Sequence, residues 1–203
     1  MQARNSSAEQ TRTLTEQVRR AQIVSAAIAA IADLGYRNAT FAQIARRAGL
    51  SSTGLISYHF AGKDELISEV VRTVLADIGA YMAERMQAAA SPAEALRAYI
   101  EGNVMFIGSH RDQMKALADI FVNGGFGYDA ASEKAATSPL EEIMRAGQAA
   151  GEFRAFDPVV MATLVQRAID GLPFLLDVRP ELDIAAYERE VVTVFELATR
   201  TQP

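Results

Sequence analysis

The chain has 203 residues, 50% of them apolar and 22% charged, with no cysteine and two histidines. That composition supplies a full hydrophobic core, excludes disorder as the main state, and removes disulfides, thiolate metal sites and thiol nucleophiles together, as a reducing compartment would favour. A net charge of −5 argues against nucleic acid, but residues 1–63 hold 8 basic and 3 acidic side chains (net +5) while residues 64–203 hold 12 basic and 22 acidic (net −10).

Residues 1–13 are polar and basic and are expected to form a disordered arm. They carry no apolar stretch of the secretory type, and no run in the chain reaches the roughly 18 apolar residues of a membrane span. A cytoplasmic protein without membrane contact is therefore expected. Ile23, Ala27, Ala30 and Leu34 recur at helical spacing, with Gly35 as the stop. Thr40-Phe41-Ala42-Gln43 has the form of a capping box and opens a short helix ending at Gly49. Ser51 or Ser52 is expected to cap a third helix reaching His59. Asp64 and Glu65 then fall in the first turn of a long helix over 64–88, where they favour the positive end of its dipole. Leu66, Ile67, Val70, Val74, Leu75, Ile78 and Met82 form its apolar side.

Ser91-Pro92, Ser138-Pro139 and Asp157-Pro158 each place a capping side chain before a proline, which predicts three further helix starts. Residues 123–136 are the least periodic and read as a loop, either a gate or an ordinary connection. The last two helices are expected over 158–177 and 184–200, broken at Arg179-Pro180, with a bend near Ile169–Pro173 because Pro173 removes a backbone donor. Strand alternation is absent throughout, so the fold class is all-α.

Residues 40–63 carry the most specific signal. A capped helix, a turn holding Gly49 and a second short helix make a helix-turn-helix. Ile44, Ala45, Ala48, Leu50 and Ile56 supply its inner face, leaving Ser52, Thr53, Gly54, Ser57, Tyr58 and His59 on the second helix. Small groups there permit close approach to a duplex, and the Tyr and His tips reach phosphates or base edges. Tyr58 reads as groove-facing or as core, Phe60 as core, and His59 as a contact residue or a satisfied structural imidazole. Arg46 and Arg47 read as a solvated face.

Over Gln22 to Val70 the chain resembles the DNA-binding domain of the TetR family of bacterial transcriptional regulators. The resemblance lies in Leu34-Gly35-Tyr36, Thr40, Ile44-Ala45, Ala48-Gly49, Tyr58-His59-Phe60 and Lys63-Asp64-Glu65-Leu66. Ser51-Ser52 is a departure, a turn one residue longer than the family's usual one. The resemblance implies a three-helix DNA-binding domain over 14–62 and a larger helical effector-binding and dimerisation domain over 63–203. It assigns phosphate contacts to Thr40 and Lys63, and groove or backbone contacts to Thr53, Gly54, Ser57, Tyr58 and His59. Phosphate at a helix amino terminus also follows from the free N–H groups and the dipole there.

In the acidic half, Leu96, Tyr99, Asn103, Phe106 and His110 share one helical sector, placing Asn103 and His110 as polar groups in an apolar stripe. Each needs a partner, which either a ligand or another side chain can supply. Arg167 and Asp170, three residues apart, pair with each other or face a ligand. Ile184, Tyr187, Val191, Val194, Phe195 and Ala198 form a terminal stripe to be covered by the chain's own core or by a second subunit. The resemblance implies a small-molecule effector and a homodimer through the last two helices. The expected function is a ligand-responsive regulator, a repressor released from a palindromic double-stranded operator, with no cofactor. The alternative is a DNA-binding adaptor controlled by a protein partner. An enzyme using His110 with Asp112 or Asp119 is disfavoured, because no phosphate loop, metal-ligand cluster or nucleophile constellation accompanies them.

Overall fold

The computed structural model describes the backbone over residues 2–123 and 130–201, and side chains from residue 14 onward within those ranges. Ten helices follow one another among the described residues: α1 (Gln2–Leu34), α2 (Phe41–Arg47), α3 (Gly54–His59), α4 (Lys63–Gln87), α5 (Pro92–Ser109), α6 (Arg111–Asn123), α7 (Ala130–Ala149), α8 (Pro158–Asp170), α9 (Leu172–Val178) and α10 (Ile184–Thr199). The lone extended pairing among them is a bridge between Phe153 and Arg200.

Several helix starts follow from local chemistry. The Thr40 hydroxyl accepts from the Gln43 amide, Ser91 from Glu94, and Asp157 from Val159 and Val160, each meeting donors that the first turn leaves unbonded. Ser138-Pro139 is the exception. Both residues lie inside α7, where Ser138 donates instead to the Lys134 carbonyl at 2.6 Å. The helix begins at Ala130, so residues 130–136 are helical and not loop. Their alanine-rich run has high helix propensity, and buried Thr137 anchors the turn. Of the gate expected over 123–136, residues 124–129 lie outside the described residues. The arm expected over 1–13 also differs: α1 starts at Gln2, in a stretch with no glycine or proline to interrupt it.

Two hydrophobic cores result. The first joins α1, α2, α3 and the amino-terminal half of α4 around Ile23, Ile31, Ile44, Ile56, Phe60 and Leu66, and it also takes Ala116, Leu117 and Ile120 from α6. The second packs α5, α7, α8, α9 and α10 around Leu96, Ile100, Leu140, Met144, Val165 and Leu172. The first core thus extends past residue 62. Met114 of α6 packs against both. Leu75, expected on the buried side of α4, is half exposed, and Val71 takes its place.

Pro158–Val178 has a mean hydropathy of 1.5 and is long and apolar enough, by composition alone, to cross a membrane. It breaks at Gly171 into α8 and α9, within the bend expected from Pro173, and contributes Met161, Ala162, Val165, Ile169 and Leu172 to the second core. On α10, Ile184, Tyr187, Val191, Phe195 and Ala198 pack on that same core, whereas Val194 points away and is 55% exposed. Where α7 turns back, Gly147 meets Phe153 so closely that a Cβ would lie 2.1 Å from the ring, a space only glycine leaves open.

Candidate nucleic-acid interface

The turn after α2 closes on Gly49, whose φ of +65° is the left-handed conformation that glycine adopts without penalty. Gly49 N–H donates to the Arg46 carbonyl at 3.2 Å and Leu50 N–H to the Ala45 carbonyl at 2.9 Å, the two bonds of a Schellman motif. The chain then enters α3. Thr53 stands at its cap position with no side-chain capping bond, so neither Ser51 nor Ser52 caps this helix. The reason is geometric: Thr53 is already in helical φ/ψ, and both serines remain exposed.

Within α3, Ile56 and the following Phe60 are buried at 0% and 1% exposure. That anchorage turns Gly54, Ser57 and Tyr58 outward, together with Thr53 and Ser52 just before them. Tyr58 is 72% exposed, which selects the outward reading over core. His59 is half-buried: its ring meets Tyr58 edge-on at 5.0 Å, and its Nδ1 is buried without a hydrogen-bond partner.

Three side chains of α1 and α4 hold this unit, and of these only Glu65 stands in the motif quoted above. Arg20 donates to the His59 carbonyl, lies 4.2 Å over the Phe60 ring and pairs with Glu65 at 3.5 Å. A cation at a helix carboxyl end meets both its unpaired carbonyls and its dipole. Gln22 donates to the Ala48 carbonyl at 2.7 Å, and Glu65 accepts from the Ala61 amide at 2.6 Å. The available sequence signal was the position of Arg20 and Gln22 beside the buried face of α1.

Lys63 opens α4 and donates to the Tyr36 carbonyl at 2.8 Å, its ammonium 4.2 Å from the Tyr36 ring centre. Partial burial lowers its pKa from the ordinary lysine value, against the opposing pull of Asp64. Arg47 pairs with Asp33 at 2.5 Å and Arg46 donates to Gln43, both on the solvated face expected of them. A capped helix, a Schellman turn and an outward polar recognition face define a helix-turn-helix protein.

The six residues expected at an effector site separate into two groups. Tyr99 donates to Gln166 Oε1 at 3.0 Å, and Gln166 donates to Asp170 at 2.8 Å. Arg167 bridges Asp170 at 3.1 Å and Glu133 at 2.7 Å. Asn103 closes on its own helix, donating to the Tyr99 carbonyl at 2.8 Å. The second group faces α4: Phe106 stacks on His110 at 4.0 Å with Tyr81 edge-on at 5.3 Å. His110 Nδ1 lies 3.2 Å from the Phe106 carbonyl and 2.9 Å from Ser109 Oγ. A hollow of about 320 Å³, open to solvent, is lined by Gly108–Gln113 and includes His110 but none of the Tyr99 chain.

Gln166, buried within α8, is the residue missed from sequence. Its place four residues after buried Ala162 and three before Ile169 was the signal. Burial pushes the Tyr99 hydroxyl up to about 12, with Asp170 adding to the rise. Burial also raises the Asp170 carboxyl, opposed by Gln166 and Arg167. The folded chain thus holds that proton more tightly than the unfolded one. Stability falls as pH rises from the ordinary value of 3.8 through the raised one, and the deficit persists above it. Thermal unfolding of Asp170→Asn is expected to show a variant that gains on the wild type as pH rises across that window; a difference independent of pH contradicts the assignment.

The family model for bacterial regulatory proteins of the tetR family matches residues 23–70. The HTH-type transcriptional regulator BetI 1 of Chromohalobacter salexigens is 45% identical over 87 residues, covering 42% of this chain and 43% of that protein. BetI of Serratia proteamaculans is 41% identical over 88 residues, 42% and 44% of the two chains. The chain therefore spans less than half the length of these curated relatives. Solved structures match far more of it. "Molecular basis for control of antibiotic production by a bacterial hormones" has a TM-score of 0.75 at 27% identity, covering 90% of this chain and 97% of that one. AibR in complex with isovaleryl coenzyme A and operator DNA has a TM-score of 0.74 over 87% and 97%, and at 20% identity that likeness is one of fold. Over residues 23–70 the chain is similar to the bacterial regulatory proteins of the tetR family.

Proposed function

We propose that the protein is a DNA-binding transcriptional regulator of the bacterial cytoplasm, a repressor that leaves a palindromic operator when a small molecule binds the acidic domain. The observation that carries this reading is α3: a helix anchored by Ile56 and Phe60, with a row of small and polar groups facing solvent. Gly54 supports it, because a Cβ there would meet only Ser52 Oγ at an ordinary 3.4 Å. Nothing inside the protein crowds that position, so the missing Cβ leaves room there for close approach of an outside surface.

Thr40 and Lys63 take phosphates, while Thr53, Gly54, Ser57, Tyr58 and His59 face the groove, with Ser52 at its edge. One short recognition helix reads few base pairs, and a two-fold dimer reads two half-sites about 34–36 Å apart. Exposed Val160 and Leu164 on α8, with Val194 and Leu197 on α10, supply an apolar face for that dimer. The effector acts only as far as it binds two conformations unequally, and the Tyr99–Gln166–Asp170–Arg167 chain is the polar group it would engage. A second reading, an adaptor governed by a protein partner, is favoured by Asn103 and His110, which bond to backbone of their own helix. Titration calorimetry against small-molecule extracts separates the two: heat lost in a Gln166→Leu variant supports the effector.

The test of DNA recognition is the affinity of Tyr58→Ala for a duplex selected by the wild-type protein from random sequence. A loss of about 1–3 kcal/mol is expected for the selected duplex, with little change on random DNA. Unchanged affinity on both removes Tyr58 from the contact set.

A further inference from the structure

The turn between α1 and α2 is gripped by a helix that lies outside the helix-turn-helix. The Asp119 carboxylate, on α6, accepts the Tyr36 backbone N–H, and its second oxygen accepts from Asn123 at 2.7 Å. Tyr36 in turn holds Lys63 twice, by its carbonyl and by its ring face. The same turn, in which Ala39 N–H bonds to the Gly35 carbonyl at 3.0 Å, leads directly into Thr40. Both residues assigned to phosphate are therefore set by one short loop.

The far side of α6 faces α9 and the segment after it. Lys115 pairs with Asp177 of α9 at 2.5 Å, Arg111 donates to the Pro180 carbonyl at 2.8 Å, and Met114 packs on both cores. A displacement of α6 is thereby delivered at Asp119 to a backbone amide, and one residue further to an ammonium.

We infer that Asp119 is a positioning residue for DNA binding: by holding the Tyr36 amide it fixes the platform on which Lys63 is presented to the phosphate backbone. A flexible lysine loses rotamer freedom when it docks, and an ammonium with three donors keeps the remainder for phosphate while one stays on Tyr36. Loss of Asp119 frees the turn, and Lys63 must then be ordered at the moment of binding. The inference rests on the reading of Lys63 as a phosphate contact.

A double-mutant cycle on full-length protein tests it, using Asp119→Ala, Lys63→Met and their combination, with affinity measured for the selected duplex well below the melting temperature. Asp119→Ala is expected to weaken binding by about tenfold when Lys63 is present and by less than about twofold in the Lys63→Met background. Asn123→Ala, which removes the other partner of the same carboxylate, is expected to bind as wild type. Asp119→Asn keeps an oxygen for the amide but no charge, so a loss of about two- to threefold, again confined to the Lys63 background, is expected. It reads the same coupling if Asp119→Ala is too unstable to measure. Equal losses in both backgrounds overturn the inference, because Asp119 then acts on the fold and not through Lys63; so does no loss in either. Wild-type affinity for Lys63→Met alone overturns the phosphate reading, and the inference falls with it.

Discussion

Phe60→Ala is expected to be the most destabilising single truncation in the DNA-reading unit, costing about 3–5 kcal/mol, the range for emptying a fully buried aromatic site. Phe60 is 1% exposed and belongs to the first core with Ile44, Ile56 and Leu66. Three elements depend on it. It ends α3 in an extended conformation, it anchors that helix together with Ile56, and its ring carries the Arg20 guanidinium that bonds the last α3 carbonyl. A cavity there cannot be closed by its neighbours cheaply, since α3 has only six residues and no other large buried side chain besides Ile56. At about 2–4 °C per kcal/mol for a chain of this size, the melting temperature falls by roughly 6–20 °C. Tyr58→Ala is the contrasting case: two positions away but 72% exposed, it is expected to stay within about 0.5 kcal/mol of wild type. Thermal or urea unfolding checks both. A Phe60→Ala protein as stable as Tyr58→Ala would mean that α3 is not held by the first core.

The contrast between those neighbours also marks what the chain made legible. Helix ends written by a side chain and an adjacent backbone donor could be read in order, as Thr40, Ser91 and Asp157 show. The same dipeptide logic failed at Ser138-Pro139, because a proline lacking one bond is tolerated when the flanking turns are alanine-rich and packed. The buried face of α3 was legible from Ile56 and Phe60, whereas its cap was not: Thr53 took the position without using its hydroxyl. Long-range bonds were invisible. Arg20 to the His59 carbonyl, Asp119 to the Tyr36 amide and Tyr99 to Gln166 join residues 39, 83 and 67 positions apart, and no local pattern encodes such pairs. For the same reason the effector residues were read as one stripe, although packing sends Tyr99 toward α8 and Phe106 toward α4.

The largest effect expected of any solution condition is on DNA affinity, which should fall about a thousandfold between 50 and 200 mM monovalent salt. Each phosphate neutralised by a cation releases counterions, giving a slope of about −0.9 per contact in log affinity against log salt. Arg37 and Arg46 are exposed and Lys63 half-buried; counted as one phosphate contact each in a two-fold dimer, they would make six contacts and a slope near −5. Arg20 and Arg47 are committed to Glu65 and Asp33 and add less. Thr40 and the backbone donors at helix starts are uncharged, so any phosphate they held would add affinity but no slope. The −10 charge of residues 64–203 opposes binding most strongly at low salt. Its effect is cut off within a Debye length of about 10 Å at 0.1 M, so it flattens the low-salt end of the plot and leaves the slope above 0.1 M to the interface cations. Lys63→Met should make that slope shallower by about 1.8, one contact from each half-site. Fluorescence anisotropy on the selected duplex across this salt range reads both quantities. A flat profile would show that the +5 of residues 1–63 does not lie against phosphate, whatever the helices of that segment resemble.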